Sequence, residues 1–418
     1  MRVTVTLSNM PLIIRLAFRN LGRNKRRTFL TIAAITFALI LSIVMRGIQL
    51  GTYETNIKAT IESSSSYIQL QRVGYQKNPS LRKSFIYDEA IEAKLRTDTD
   101  IVGFATRING DGLASFKDKS QPIFINAVDP TAEFRVSNFH KRVKGGRFIQ
   151  PGNNNEIVVG HILLENLGAN IGDSIVMLAQ GLDGFLRNSF AKIVGVAKFG
   201  SADFDRMVVF VNLKTAQELL GMDSRVSVVA ISLSSLRMID AVRNNLRISI
   251  TDPKIAVHSW GQVLPELKEH IDFDNLSGVL YLFILFLIVG FGMFNTVLMS
   301  VTERSREFGM MLSLGMSNTV LARIIAWELF FISLICSILG NIIGGSINYY
   351  IVRNPIQLSG DIGALYEEYG FLPVIVSMVE PYIFIESTLI VVFIALIVII
   401  YPLWRVYKLE PLKGIRHT

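Results

Sequence analysis

A dense cluster of charged residues lies between two apolar runs of the sequence. Its members fall within five positions and are Glu303, Arg304, Arg306 and Glu307. Large apolar residues follow at once, at Phe308, Met310, Met311, Leu312 and Leu314. Carboxylate and guanidinium groups form strong charge-assisted hydrogen bonds, and the apolar set beside them favours a short amphipathic helix pressed against a partner. Gly309 and Gly315 permit close approach or a turn at the helix ends. A solvated loop is the alternative that charge alone leaves open.

The residue patterns of common catalytic and metal sites are absent from the sequence. It has no G-x-x-x-x-G-K-[ST] phosphate loop, no G-x-S-x-G elbow and no H-E-x-x-H pair. The histidines are dispersed without the spacing of metal ligands, at His140, His161, His258, His270 and His417. We therefore expect a chain that is not an enzyme and that binds no metal and no cofactor itself.

The composition indicates membrane spans joined to a sizeable domain outside the membrane. Of the 418 residues, 50% are hydrophobic and 18% are charged, and the mean hydropathy is +0.41. The chain is thus too apolar for an ordinary soluble protein and too charged for a pure membrane bundle. Four runs are long enough to cross a bilayer core, which takes about 20 apolar residues. They are Thr28–Ile48, Leu280–Val301, Ile324–Ile347 and Ile383–Leu403.

Basic residues at the two ends of the chain predict its orientation. Residues 1–27 hold seven basic residues and no acidic one, and residues 404–418 hold four basic residues and one acidic one. Short basic flanks stay on the cytoplasmic side of a membrane, so we expect both termini inside and the large domain outside. Topology accounts for the net charge of +8, and no nucleic-acid partner is expected. Cleavage of the first span as a signal peptide is disfavoured by its long basic n-region.

The basic segment 11–27 has an apolar repeat at helical spacing, formed by Leu12, Ile13, Leu16, Ala17 and Leu21. This pattern predicts an interfacial helix that lies on anionic membrane lipid. Plain topogenic charge is the second interpretation, and the two do not exclude each other.

The region between the first two apolar runs alternates strand-like and helix-like pieces. Examples are the strand candidate Ala191–Ala197 and the helix candidates His161–Leu167 and Trp260–Asp272, the last of which runs toward the second span with little interruption. Such alternation predicts a two-layered α/β or α+β domain. The expected fold is a membrane protein with four transmembrane α-helices and a large α/β extracytoplasmic domain inserted between spans 1 and 2.

The spans contain three further candidate features. Gly340 and Gly344 have small-xxx-small spacing, which favours interior helix packing over a dimer seam. Glu328 and Glu386 lie near span ends, where contact with the interface competes with a proton-relay role. Large apolar residues on the first two spans are candidates for a hydrophobic cargo cavity, and they are Phe37, Ile40, Val44, Phe283, Leu287 and Phe291.

The sequence also resembles a known family over most of its length. The segment from Asn295 reads NT-x-LMSV-x-ER-x-RE-x-G-x-x-x-x-LG-x-S, which is similar to the FtsX-like permeases of ABC transporters in the macrolide-exporter superfamily. In the outer region, Glu156–Gly160, Gly172-Asp173 and the stretch from Asp183 to Val196 resemble the lipoprotein-releasing permeases. The Tyr401-Pro402 exit from the last span also matches the family ending.

The resemblance implies a role for the charged cluster. Glu303–Gly315 would be a coupling helix seated on a separate ABC ATPase, with the coupling residues Glu303, Arg304, Arg306, Glu307, Phe308, Gly309, Met311, Leu314 and Gly315. The charged groups would pair with the rim of a cleft on that partner, and Phe308, Met311 and Leu314 would fill the cleft. ATP and Mg would bind to the ATPase dimer, and the permease would work with a second copy or a paralogue.

The implied function is that of a permease subunit in the bacterial inner membrane. It would couple ATP hydrolysis by the ATPase to the extraction or export of a lipoprotein or other hydrophobic cargo by mechanotransmission. The alternative is a non-transporting, mechanotransmitting regulator of a periplasmic partner such as a cell-wall hydrolase, and an outer-membrane partner also stays open. The expected segments are the cytoplasmic basic segment 1–27, the first span 28–50, the periplasmic domain with stalk helices 51–272, the second span 273–301, the coupling helix 302–319, the third span 320–350, a short periplasmic loop 351–380, the fourth span 381–403 and the cytoplasmic tail 404–418.

Overall fold

The computed structural model describes residues 12–23, 25–63, 65–153, 155–368 and 372–408. The helices of this part of the chain are α1 (Leu12–Leu21), α2 (Lys25–Glu62), α3 (Glu89–Thr97), α4 (Pro130–Glu133), α5 (His161–Leu167), α6 (Ala202–Met207), α7 (Leu213–Leu220), α8 (Ile239–Ser249), α9 (Trp260–Val263), α10 (Pro265–Glu303), α11 (Ser305–Ser313), α12 (Asn318–Arg353), α13 (Asp361–Glu368) and α14 (Pro381–Tyr407). The strands are β1 (Ile68–Arg72), β2 (Phe85–Ile86), β3 (Ile101–Phe116), β4 (Lys119–Val128), β5 (Val143–Gly146), β6 (Glu156–Gly160), β7 (Ser174–Gln180), β8 (Leu186–Ala197), β9 (Val208–Asn212), β10 (Arg225–Val226), β11 (Val228–Leu233), β12 (Ile255–Ser259), β13 (Ile356–Gln357) and β14 (Val374–Ile375).

Contacts within the chain divide it into two units. The helical unit comprises Met1–Tyr53, Asp272–Ile356 and Ile375–Thr418, and the sheet unit comprises Glu54–Ile271 and Gln357–Val374. The second segment of the sheet unit contains α13 and falls within the stretch 351–380, for which the sequence predicts only a short loop.

Four helices in the described part of the chain are long and apolar enough to cross a membrane. They are α2, α10, α12 and α14, whose most apolar windows have mean hydropathies of 2.4, 2.4, 2.0 and 3.0. Each of the four predicted apolar runs falls inside one of these helices. The hydrocarbon core of a membrane contains no water to bind backbone N–H and C=O groups. A helix suits this environment because it pairs these groups internally.

Small residues bring α12 close to α2 inside the helical unit. A Cβ atom added to Gly340 would lie 2.5 Å from Leu39 Cδ2, and one added to Gly344 would lie 3.1 Å from Ile43. The fully buried Asn348 donates a hydrogen bond to the Ile43 carbonyl at 2.9 Å. The prediction of interior packing for the small-xxx-small pair is therefore confirmed.

A ten-stranded mixed sheet forms the centre of the sheet unit. Its strand order is β12-β1-β11-β3-β4-β9-β6-β8-β5, and β7 pairs with both β3 and β8. The pairs β4/β9 and β6/β8 are parallel. Helices α5 and α7 bury Leu163 and Leu219 against one part of the sheet, and α8 buries Val242 against another. This α/β unit and the four long helices confirm the predicted fold class.

Two of the three elements named above from the sequence differ from their predicted bounds. β8 begins at Leu186 instead of Ala191, because its exposed first half pairs with β7, with Leu186 opposite Gln180. The predicted helix Trp260–Asp272 is interrupted at Leu264, whose φ is −121° and ψ is 67°. Pro265 follows this residue, and a proline disfavours the helical conformation in the residue before it.

Candidate functional site

The short helix α11 is separated from its neighbours by a break at each end. α10 ends at Glu303, and Arg304 has φ −98° and ψ 10°, outside the regular helix. At the other end, Gly315 has φ 90°, a conformation that glycine adopts far more readily than other residues. α12 then begins at Asn318. The predicted coupling segment 302–319 therefore contains one independent helix of nine residues.

One face of α11 is buried in the core of the helical unit. Phe308 is 1% exposed and Leu312 is 8% exposed, and Gly309 is also buried. Phe308 belongs to the same cluster as Val301 of α10, and Met311 packs against that cluster. The sequence predicts that Phe308 and Met311 fill a cleft on a partner, but here they pack on the chain's own helices. Burial of a phenylalanine side chain is worth about 1.5–3 kcal/mol, which favours this placement.

Two glutamates of the charged cluster pair with basic residues near the start of the chain. Glu303 accepts a hydrogen bond from Arg27 Nη1 at 2.7 Å. Glu307 accepts one from Arg23 Nη1 at 2.6 Å and a second from Arg23 Nη2. Both carboxylates are thus paired within the single chain, and their expected pairing with the rim of a partner's cleft stays a prediction.

Arg304 is held still more firmly by contacts within the chain. Its Nη1 atom donates to Glu328 Oε1 at 2.9 Å, and Asn20 Nδ2 donates to the same oxygen at 2.5 Å. The side chains of Arg304 and Glu328 are 13% and 14% exposed. The Arg304 guanidinium also lies 5.0 Å from the centre of the Phe308 ring. Arg304 therefore links the start of α11 to α12, and its predicted contact with a partner stays a prediction.

The ion pairs have a consistent effect on protonation. The hydrogen bond from Arg23 is the main reason why the pKa of Glu307 lies below its usual range. The same contact raises the pKa of Arg23. Both groups are therefore charged at neutral pH. The cleft that they line has a volume of about 270 Å³, and its charged lining consists of Arg23, Arg27, Arg304, Glu303, Glu307 and Glu328. Because the charges balance, the cleft does not favour a free anion or cation.

The opposite face of α11 is open. Leu314, directly after the helix, is 88% exposed, and Met310 is 54% exposed. Arg306 and Ser313 are also exposed, and their spacing places all four residues on one side of a helix. We call Arg306, Met310, Ser313 and Leu314 the exposed α11 face. Met310 and Ser313 are not among the coupling residues that the sequence predicts.

The six cargo-cavity candidates lie along the surface of α2 and α10. Phe37, Phe283 and Phe291 are 62%, 63% and 61% exposed, and Leu287 is exposed as well. The remaining two, Ile40 and Val44, are partly buried. A single chain leaves these residues open, so a cavity built from them needs a second surface.

Sequence reasoning missed the residues that hold the charged cluster in place. Arg23 and Arg27 belong to the basic segment that the sequence assigns to topology or to anionic lipid, and Asn20 is not singled out. Partners such as Arg27 and Glu303 are 276 positions apart, so no local spacing connects them. Covariation among relatives is the signal that could reveal such pairs.

The four long helices, the inserted α/β unit and the separate short helix define a membrane permease subunit of an ABC transporter. Residues 28–248 match the MacB-like periplasmic core domain, and residues 279–411 match the FtsX-like permease C-terminal domain. The chain belongs to the FtsX-like family of ABC transporter permeases, which confirms the resemblance carried by its motifs. This family places it among bacterial inner-membrane proteins.

The chain is also similar to individual proteins. The lipoprotein-releasing system transmembrane protein LolC of Xylella fastidiosa is 24% identical over 427 residues, which cover 97% of this chain and 99% of LolC. The ABC transporter permease YtrF of Bacillus subtilis is 32% identical over 92 residues, 21% of each chain. Among solved structures, the periplasmic region of MacB from Actinobacillus actinomycetemcomitans has a TM-score of 0.37 and 10% identity, and the match covers 51% of this chain and 96% of that one.

Proposed function

We propose that this permease couples ATP hydrolysis by a separate ABC ATPase to the extraction or export of a lipoprotein or other hydrophobic cargo from the inner membrane or periplasm. The full-length similarity to a lipoprotein-releasing permease supports the cargo class. ATP and Mg would bind to the ATPase dimer, since this sequence has no phosphate loop. The permease itself would act by mechanotransmission.

The observation that carries the proposal is the two-sided environment of α11. Phe308 on one side is buried among the chain's own helices, whereas Met310 and Leu314 on the other side are exposed. A partner that binds the exposed α11 face would therefore move a helix that is packed against α10 and α12. Methionine and arginine, both present on this face, are enriched in protein interfaces relative to the rest of the protein surface.

Apolar burial holds α11 in place more strongly than its exposed ion pairs do. Burial of Phe308 contributes about 1.5–3 kcal/mol. A partly exposed pair such as Arg27–Glu303 contributes about 0–1 kcal/mol. An ion pair could therefore open during a transport cycle while the helix stays seated, and force applied to its exposed face would still reach the bundle.

The remaining parts of the proposal concern orientation and cargo. Both termini and α11 would lie in the cytoplasm, and the sheet unit would lie in the periplasm. α2 continues beyond its apolar run to Glu62, and α10 begins at Pro265, so each would supply one of the expected stalk helices. A second copy or a paralogue would cover Phe37, Phe283 and Phe291 and so complete a cavity for the cargo.

The exposed α11 face provides the test. We predict that Leu314→Asp weakens binding of the ABC ATPase that copurifies with the wild-type chain by roughly 30-fold, because loss of a central interface anchor costs about 2 kcal/mol or more. Binding would be measured with the purified ATPase and the full permease in detergent, and the stimulated ATPase rate would fall with it.

Two variants control for charge and for folding. Val73→Asp introduces the same charge at an apolar residue of the sheet unit that is 58% exposed, outside the predicted coupling segment, and it should leave binding intact. Leu314→Met keeps an apolar side chain and should bind normally. Arg304 is unsuitable for this test, because its reversal would also break the contact with Glu328. Normal binding and stimulation by Leu314→Asp would refute the coupling role of this face.

A further inference from the structure

The basic segment before α2 turns its arginines outward. Arg15 and Arg19 of α1, and Arg23 in the turn that follows, are exposed. Their spacing of four residues places Arg15 and Arg19 on one side of the helix. Phe18 lies beside them and is 45% exposed. The outward side of this segment is therefore cationic, with an aromatic ring at its edge.

The apolar side of α1 packs on the chain's own α12. Ala17 is fully buried, and the Phe18 ring meets the Phe331 ring edge-on at 5.6 Å. Asn20 binds Glu328 of α12. The sequence predicts an amphipathic helix on lipid, and such a helix would ordinarily bury its apolar side in the membrane. Because the apolar side of α1 packs on α12, the side of α1 that is available to a membrane surface is the one that carries Arg15 and Arg19.

Most of the outward cations have no acidic partner in the part of the chain that the structure describes. Arg15, Arg19, Lys25 and Arg26 form no ion pair there. Only Arg23, at the edge of the group, is paired, through Glu307. Four exposed positive charges therefore have no counter-charge among the described residues.

Exposed apolar surface begins directly beside these cations. Phe29 and Leu30, in the second turn of α2, are 69% and 58% exposed. Cations next to the lipid-facing end of a span match the headgroup layer of a membrane, which lies directly outside the hydrocarbon core. An acidic soluble protein would match the charge but not the apolar residues beside it.

We propose that the arginine surface, formed by Arg15, Arg19, Arg23, Lys25 and Arg26, binds the headgroups of anionic phospholipids, and that these headgroups and Glu307 share Arg23. A phosphate accepts two parallel hydrogen bonds from a guanidinium as a carboxylate does. The Arg23 side chain is 60% exposed, and that of Glu307 is 27% exposed, so a headgroup can reach the arginine in its present position.

This sharing has a consequence for α11. When a headgroup binds Arg23, Glu307 loses the hydrogen bonds that Arg23 donates to it. One of the contacts that hold α11 in place is then broken. Arg27, which pairs with Glu303, is only 25% exposed and is less accessible to a headgroup. The lipid surface would thus act on α11 through one arginine. This regulatory step, unlike the lipid binding itself, rests on the proposed coupling role of α11.

Tryptophan fluorescence offers a direct measurement of lipid selectivity. The chain has three tryptophans, and Trp260→Phe with Trp404→Phe would leave Trp327 alone. Its ring lies 5.7 Å from the Phe331 ring, which in turn meets Phe18. The full chain would be placed in nanodiscs that contain brominated phosphatidylglycerol or brominated phosphatidylcholine, and quenching of Trp327 would be compared.

We expect brominated phosphatidylglycerol to quench Trp327 more strongly than the zwitterionic lipid. Arg15→Gln and Arg19→Gln should each reduce this preference roughly fivefold, the effect of one basic residue at an anionic surface. Lys77→Gln with Lys254→Gln removes two exposed charges from the sheet unit and should change nothing. Equal quenching by both lipids in the wild-type chain would overturn the lipid site. Loss of the preference in inorganic phosphate, but not in sodium chloride of the same ionic strength, would overturn the assignment to a lipid surface.

A variant that removes the ion pair between Arg23 and Glu307 tests whether headgroups and Glu307 share Arg23. Glu307→Gln should raise the preference for phosphatidylglycerol by up to fivefold, because Arg23 becomes available to the headgroups. Glu303→Gln releases the less exposed Arg27 and should have little effect. An unchanged preference in Glu307→Gln, or equal increases in both variants, would overturn the sharing.

The regulatory step has its own readout. Phosphatidylglycerol should change the stimulated ATPase rate of the wild-type complex and should not change that of Arg23→Gln. A rate change that persists in Arg23→Gln would overturn the link from lipid to α11. If Leu314→Asp binds the ATPase normally, the proposed function fails, whereas the quenching result supports or refutes the lipid site independently.

Discussion

Phe308 and Arg304 contact each other at the start of α11. Both side chains also contact other helices of the same chain. The position of the charged cluster and its short helix could be predicted from the charges and the apolar residues beside them. Which face points outward could not be predicted, because apolar residues occur on both sides of α11. Membership in the buried cluster that also contains Val301 distinguishes Phe308 from the exposed Leu314.

At the residue scale, Phe308→Ala should destabilise the full chain by about 3–5 kcal/mol, because a buried ring is replaced by a cavity. Met310→Ala, on the exposed α11 face of the same helix, should leave stability within about 0.5 kcal/mol. Thermal unfolding in detergent, followed by tryptophan fluorescence, would compare the two. Equal unfolding midpoints would show that α11 is not anchored through Phe308.

At the scale of elements, helices and strands with a strong hydrophobic periodicity could be predicted from the sequence, and those with a weak periodicity could not. Helix α5 occupies the predicted range His161–Leu167. Strand β2 has only two residues and exists through its pairing with β10. Strand β5 contains Gly145 and Gly146, which have low strand preference, and it forms against β8. Such elements depend on tertiary partners that local sequence does not reveal.

The sheet unit contains a buried ion pair that should fix the position of α4 on β3. Arg107 Nη2 lies 2.6 Å from Glu133 Oε1, and the side chains are 4% and 1% exposed. We predict that Glu133→Ala destabilises this unit by about 3–5 kcal/mol, because the arginine is left buried without its partner charge. The rate of limited proteolysis within residues 54–271 of the full chain would measure the change.

A partly exposed ion pair in the same unit is the matched control. Glu156, whose side chain is 15% exposed, pairs with Arg147, whose side chain is 43% exposed. Glu156→Ala should therefore raise the proteolysis rate far less than Glu133→Ala does. Similar rates for the two variants would contradict a structural role for the buried pair.

At the scale of the whole molecule, the number of spans and the inserted domain could be predicted from apolar length. The strand order of the sheet could not, because it depends on pairs far apart in sequence, such as β1 with β12. The orientation rests on the basic residues at the chain ends and stays a prediction. That a second chain covers Phe37, Phe283 and Phe291 is also still a prediction.

Cargo occupancy of the permease–ATPase complex, measured before and after ATP hydrolysis, tests the central claim most directly. We predict that a lipid-modified protein or another amphiphile copurifies with the wild-type complex without nucleotide and is lost when ATP and Mg are added. The Leu314→Asp permease, mixed with the same ATPase, should retain its cargo under both conditions. A wild-type complex that hydrolyses ATP normally but never retains such a molecule would contradict the account and favour a regulator of a periplasmic partner.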